Sequence, residues 1–200
     1  MHTMPRDVGW IEVVCGSMFS GKTEELLRRV RRAQLARQLV QVFKPVLDRR
    51  YHETDIVTHE GRSIPSVPVS RATEILERVD ARTRVVGIDE AQFFDEELVR
   101  VCEEMADRGL RVIVAGLDQD YRGRPFGPMP HLLCIAEYVT KNHAICVVCG
   151  NPANRSQRIS GGQERVEIGA QDRYEARCRR CFYPEGEPDQ AELFSEQAQA

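Results

Sequence analysis

Residues 13–26 read VVCGSMFSGKTEEL. A short apolar run enters a turn with two glycines, and a lysine, a threonine and two glutamates open a helical pattern beyond it. The turn, Gly16, Ser17, Met18, Phe19, Ser20, Gly21, Lys22 and Thr23, fits G-x-x-x-x-G-K-[ST] between a predicted strand and a predicted helix, the context that motif requires. Glycines let backbone N–H groups converge on phosphate oxygens, and the helix start adds the positive end of its dipole. Lys22 reaches the β- and γ-phosphates and Thr23 supplies a hydroxyl to Mg²⁺. The ligand implied is a nucleoside triphosphate, held on a strand–loop–helix unit of an α/β fold.

Outward from this stretch, strand and helix patterns alternate. Residues 10–15 read as a buried strand, and 22–38 as a helix with Leu26, Leu27 and Val30 on one apolar stripe. Arg28, Arg29, Arg31 and Arg32 share that helix and read as a solvated face. Further strands are predicted at 39–43, 83–88, 110–115 and 138–145. Helices are predicted at 72–79, at 96–108 with Asp95 as N-cap and Gly109 as the stop, and at 132–137. Residues 45–65 form a long polar stretch with few strand or helix signals, a length that is commonly functional. The alternation predicts a parallel sheet with helices on both faces and functional loops at the carboxyl ends of its strands.

The chain has 200 residues, room for one filled α/β domain and a small appendage. A net charge of −3 gives no global field for nucleic acid or an acidic membrane. Residues 1–8 lack an apolar signal core, and no stretch approaches the roughly 20 apolar residues of a membrane span. The expectation is a soluble cytoplasmic protein with neither a nucleic-acid nor a membrane partner. The segment from residue 184 is acidic, with Gln, Glu and Ala prominent, and reads as a disordered tail.

A triphosphate loop needs an acidic residue at the end of a neighbouring strand. RVVGIDEAQFF, residues 84–94, places Asp89 there, suited to magnesium, and Glu90 beside it, suited to taking a proton from an attacking oxygen. This pair serves hydrolytic ATPases as well as kinases, so the acceptor of the phosphoryl group stays open at this point.

Four of the seven cysteines lie in two C-x-x-C pairs, Cys146/Cys149 and Cys178/Cys181. Together they offer a closed tetrahedral thiolate shell, which suits a structural Zn²⁺, with iron as the other metal such a set accepts. Cys15, Cys102 and Cys134 sit in apolar surroundings and read as core thiols. Between the pairs runs an excursion, residues 150–177, with mixed charge and few aromatics. A zinc ribbon on an NTPase would suggest nucleic-acid binding, and a P-loop ATPase of that kind is the alternative reading.

Taken together these motifs resemble the thymidine kinases that combine a P-loop with a zinc-bound lasso, the cytosolic and bacterial type. GSMFSGKT resembles the family's phosphate loop, DEAQFF its catalytic segment, GLDQDYRGRPFG its substrate-facing loop, and the cysteine pairs its zinc site, over about residues 10–183. The resemblance implies a RecA-like P-loop domain over 1–145, a zinc-binding lasso domain over 146–183 and the tail 184–200. It implies transfer of the γ-phosphoryl group of ATP to the 5′-hydroxyl of thymidine, and of deoxyuridine, with Glu90 as general base. ATP and its Mg²⁺ would be held by Gly16 to Thr23, Asp89, Glu90, Ala91 and Gln92, with Asp48 and Arg50 of LDRRY near the reacting phosphate. Met18, Phe93, Leu117, Tyr121, Phe126 and Tyr174 would line the nucleoside pocket, and Val166, Glu167, Ile168 and Gly169 would hydrogen-bond the base through their backbone. Tyr121 stands where the family often has Phe, so its hydroxyl needs a partner. RVEIG allows two registers, one turning Arg165 and Glu167 to the base and one Val166 and Ile168. A homotetramer and feedback by the triphosphate end product complete what the resemblance implies.

Overall fold

The structure, a computed structural model, describes residues 8–46, 55–57, 63–160 and 173–184. In chain order the first half contains β1 (Trp10–Gly16), α1 (Lys22–Leu35), β2 (Val40–Pro45), β3 (Asp55–Val57), β4 (Ser63–Pro65), β5 (Val67–Val69), α2 (Thr73–Arg78) and β6 (Val85–Ile88). The second half contains α3 (Glu97–Asp107), β7 (Arg111–Gly116), α4 (Met129–Ile135), β8 (Tyr138–Asn142), β9 (Ala144–Ile145), β10 (Pro152–Ala153), β11 (Arg155–Arg158) and β12 (Tyr174–Arg177).

Six strands form one sheet in the order β5-β2-β6-β7-β1-β8, and every neighbouring pair is parallel. The β-branched runs VVGI in β6 and VIV within β7 are fully buried, as strands covered on both faces must be. One face packs Leu26, Leu27, Val30 and Ala33 of α1 onto Val14, Val42, Val85 and Ile113. The other packs Ile75 of α2, Leu98, Val101, Cys102 and Met105 of α3, and Met129 and Leu132 of α4 onto Ile11, Val13, Val86, Val112 and Val114. The expected parallel sheet with helices on both faces is therefore what the chain forms.

Because all six strands run the same way, their carboxyl ends share one edge. Cys15 lies beside Gly116, Gly16 beside Asn142, and Ile88 beside both Phe43 and Val114. The loops after β1, β6, β7 and β8 therefore start side by side, where parallel sheets place their ligands.

Several local readings shift. α1 ends at Leu35, short of residue 38, since Arg37 takes a left-handed backbone with φ 59°. α3 begins at Glu97 with Glu96 at the cap and no side-chain cap bond, so Asp95 is not the N-cap. Gly109, with φ 86°, does stop that helix. The predicted strand 138–145 breaks in two, β8 staying in the main sheet while β9 pairs with β10. The long polar stretch yields the β3–β4 pair, and β5 adds a sheet edge that the sequence reading did not separate.

Two of the three lone thiols are core residues, Cys15 and Cys102, each fully buried. Burial pushes Cys15 up to about 11 and raises Cys102 further, so neither is a thiolate. Cys134 is exposed, against expectation. Arg29 also departs from the solvated face: it donates to Glu12 at 2.8 Å, Glu25 at 2.8 Å and Thr140 at 2.9 Å.

Candidate active site

The phosphate loop leaves β1 at Gly16, where φ is 143° and an added Cβ would lie 2.4 Å from the Asn142 carbonyl oxygen and 2.8 Å from Ser20 Oγ. A side chain there is excluded by both the backbone and the close approach of β8. Gly21, with φ 75°, turns the chain into α1. Lys22 Nζ donates to the Ser17 carbonyl at 2.7 Å, folding its ammonium back across the loop. Ser20 Oγ is buried and has no hydrogen-bond partner among the described residues. A phosphate oxygen is the kind of group that such a cradle accommodates.

Asp89 follows β6 and is buried, with Thr23 Oγ1 at 3.2 Å from one carboxylate oxygen and 3.4 Å from the other. Burial pushes its pKa up to about 7, and the neighbouring Glu90 charge adds to this, against the Glu90 N–H, Lys22 and Thr23. Burial likewise lowers the Lys22 pKa, while Glu90, Asp89 and Asp118 oppose it. A partly desolvated carboxylate pair beside one hydroxyl is a donor set that suits a hard cation such as Mg²⁺.

Glu90 adopts a left-handed backbone, φ 52° and ψ 39°, before a short 3-10 turn over Ala91–Phe93. Such a conformation is uncommon for a residue with a side chain and must be held by its surroundings. Gln92 does this: its Nε2 donates to Glu90 Oε2 at 2.5 Å, and its Oε1 accepts the Leu117 N–H at 2.8 Å. Ala91 and Gln92 are both buried behind Glu90.

Among the residues expected to face a nucleoside, Met18, Phe93, Leu117 and Tyr121 are half-buried rather than core. Phe93 meets Phe126 edge-on, centroids 5.6 Å apart. The Tyr121 hydroxyl accepts Arg122 Nε at 2.9 Å, which supplies the partner it needed, and its ring lies 3.6 Å from the Arg158 guanidinium carbon. Arg158 in turn donates to the Tyr174 hydroxyl at 2.8 Å. Asp48, Arg50, Val166, Glu167, Ile168 and Gly169 lie outside the described residues, and with them the question of the RVEIG register and the tail from 185.

The four sulfur atoms of Cys146, Cys149, Cys178 and Cys181 lie within 4.8 Å of one another. A tetrahedral Zn–S₄ centre has sulfurs about 3.8 Å apart, so the set fits. Burial works against a thiolate at Cys146, but N–H groups of Cys178, Cys149 and Val148 outweigh it and lower its pKa to about 6.

A family model described as thymidine kinase matches residues 9–182. The chain belongs to the thymidine kinase family. It is 65% identical over 177 residues to a thymidine kinase of Rhodothermus sp. (strain ITI 518), an alignment covering 88% of this chain and 83% of the relative. It is 58% identical over 177 residues to a thymidine kinase of Bdellovibrio bacteriovorus, covering 88% and 87%. Thymidine phosphorylation is the activity that membership of the thymidine kinase family supports, in preference to an ATPase with a nucleic-acid-binding ribbon.

Sequence reasoning missed Asp118 and Ser156, and it named Gln92 for the ATP side without its link between two loops. Asp118, buried, takes Lys141 Nζ at 2.5 Å on one oxygen, while its other oxygen has no partner among the described residues. Gln92 links the ends of β6 and β7. Ser156 accepts the Met18 N–H at 3.0 Å. The position of Asp118 after a buried strand was a usable signal; the other two depend on tertiary pairing.

Proposed function

We propose that the chain transfers the γ-phosphoryl group of ATP to the 5′-hydroxyl of thymidine, and of deoxyuridine, in nucleoside salvage. The observation that carries this reading is the meeting, at one edge of the sheet, of the GSMFSGKT loop with Asp89 and Glu90 in a chain of this family. Lys22 and the N–H groups of residues 19–23 would hold the β- and γ-phosphates. Thr23 and Asp89 are the groups suited to Mg²⁺, which when bound neutralises charge across the phosphate oxygens. Glu90 takes the 5′-hydroxyl proton as that oxygen bonds to the γ-phosphorus. The bond from phosphorus to the β–γ bridging oxygen breaks, and ADP leaves with the electron pair. Gln92 aims Glu90, and Ala91 keeps water from its rear.

Met18, Phe93, Leu117, Tyr121, Phe126 and Tyr174 are proposed to line the nucleoside pocket, with the backbone of 166–169 reading the base and Asp48 and Arg50 near the reacting phosphate. The Phe93–Phe126 contact, and Arg158 packed over the Tyr121 ring while donating to the Tyr174 hydroxyl, support the grouping of these side chains. A structural Zn²⁺ is proposed on the four cysteines, supported by their spacing. The division into a nucleotide-binding domain, 1–145, and a zinc-lasso domain, 146–183, belongs to the same proposal. It is supported by the main sheet ending at Asn142 and by the separate pairing of β9 to β12. A homotetramer and a cytoplasmic location are also proposed; among the described residues no helix is long and apolar enough to cross a membrane.

The reading is tested by incubating the protein with ATP and Mg²⁺ and each common nucleoside, following ADP and nucleoside monophosphate together. Equal ADP and thymidine monophosphate is expected. ADP formed without nucleoside product and accelerated by DNA would favour the ATPase.

A further inference from the structure

The phosphate loop is not shaped by its glycines alone. Phe19 holds a left-handed backbone, φ 63°, a conformation that a side-chain-bearing residue keeps where its surroundings impose it. Those surroundings come from the cysteine-bearing segment, more than 120 residues further along the chain. Ser17 Oγ donates to the Ala153 carbonyl at 3.3 Å, and the Met18 N–H donates to Ser156 Oγ at 3.0 Å. The Phe19 side chain packs against the cluster of Ala144, Cys146, Ala153, Ala176 and Cys178. Three consecutive loop residues are thus fixed from outside the sheet.

Ser156 is the pivot of this arrangement. It is 5% exposed, and in the antiparallel β11–β12 pair it stands opposite Ala176, two residues before Cys178. A strand whose partner runs straight into a cysteine of the cluster presents its hydroxyl to the loop. From this geometry we propose that Ser156 is a positioning residue for the triphosphate: its hydroxyl holds Met18 so that the following N–H groups face the phosphates. The cysteine-bearing segment then serves the ATP side of the reaction as well as the nucleoside side. This rests on the reading of residues 16–23 as the triphosphate site.

The test compares Ser156→Val with Ser156→Thr, two side chains of nearly the same shape at a strand position, one with the hydroxyl and one without. Bound zinc, the Kd for ADP, the Kd for thymidine, and the KM for ATP and for thymidine are measured in each, with Lys22→Ala alongside. Losing one hydrogen bond to a buried N–H should weaken ADP binding and raise the ATP KM about five- to tenfold in Ser156→Val, with thymidine values kept within about twofold. Ser156→Thr should match the parent protein. Equal ADP affinity in the two variants, or equal losses for ADP and thymidine, would overturn the proposal. So would loss of zinc in Ser156→Val, which would make the hydroxyl a determinant of folding instead. If Lys22→Ala weakens ADP binding while Ser156→Val does not, the phosphate-loop reading stands and the role of Ser156 falls. If neither weakens it, both fall.

Discussion

Gln92 donates to Glu90 at 2.5 Å while accepting the Leu117 N–H at 2.8 Å, so one buried amide sets the carboxylate after β6 against the loop after β7. Gln92→Leu removes both bonds and leaves a buried N–H unpaired. The expected cost is about 1–3 kcal/mol of stability, read by urea denaturation. A fall in kcat of about ten- to a hundredfold should accompany it, as for a general base that loses its orienting partner. Unchanged kcat would show that Glu90 is held without Gln92.

Gly127 tests the same region through the backbone. Its φ is 50°, and an added Cβ would lie 2.3 Å from the Gln92 carbonyl oxygen. Gly127→Ala should destabilise by about 2–4 kcal/mol, since strain and overlap act together, and should lower activity by displacing the Gln92 segment. Thermal denaturation and a steady-state assay decide it.

Metal removal should act as an unfolding step for the cysteine-bearing segment. Structural zinc sites supply roughly 10–16 kcal/mol of folding free energy in small modules. Cys146→Ser, or a strong chelator, should therefore release the metal, lower the melting temperature sharply and raise the nucleoside requirement. Elemental analysis of the parent protein should find colourless zinc, and a coloured iron protein would contradict the assignment. A Cys146→Ser variant at full stability without metal would remove the structural role.

An ion network at the amino end of the sheet predicts a pH dependence. Glu12 accepts Arg29 at 2.8 Å, Arg111 at 2.6 Å and the Trp10 indole at 2.7 Å. Burial raises its pKa, but Arg111 and Trp10, with the charge of Arg29, outweigh that and lower it. Glu12→Ala strands the half-buried Arg111 guanidinium and takes one of three partners from Arg29, and should cost roughly 3–5 kcal/mol. On the same helix Arg28 above all, with Arg29, draws Glu25 from 4.5 to about 2 despite its partial burial. A depressed carboxylate contributes stability above its unfolded pKa and loses it as the pH falls toward its folded pKa. The stability difference between the parent protein and Glu25→Gln should therefore be flat from neutral pH to about 5 and shrink between 4.5 and 2. A difference constant down to pH 2 would show the pairs to be without effect.

What could be read in advance was what neighbouring residues encode. Gly16 to Thr23, Asp89–Glu90 and the cysteine pairs each carry their geometry in their spacing, and the buried β-branched runs announced the parallel sheet. Cys134 misled because Leu132, Leu133 and Ile135 surround it in sequence, whereas the turn of α4 that buries Leu132 leaves Cys134 outside. The strand 138–145 looked continuous because no breaker interrupts it, yet its two halves join different sheets. Arg29 read as solvated because its partner Glu12 lies 17 residues away on a strand, and the Ser156–Met18 bond spans 138 residues. Such pairings exist once the sheet has assembled, and no local period signals them.

Glu90 is proposed to take the proton from a nucleoside hydroxyl at a loop that holds ATP. The most direct measurement is thymidine monophosphate formation at saturating ATP, Mg²⁺ and thymidine, by the parent protein and by Glu90→Gln, with ligand binding measured in both. Thymidine-dependent product that falls about a hundred- to ten-thousandfold in the variant, with ATP and thymidine still bound, is the expected result. Turnover by Glu90→Gln close to that of the parent protein would contradict the account.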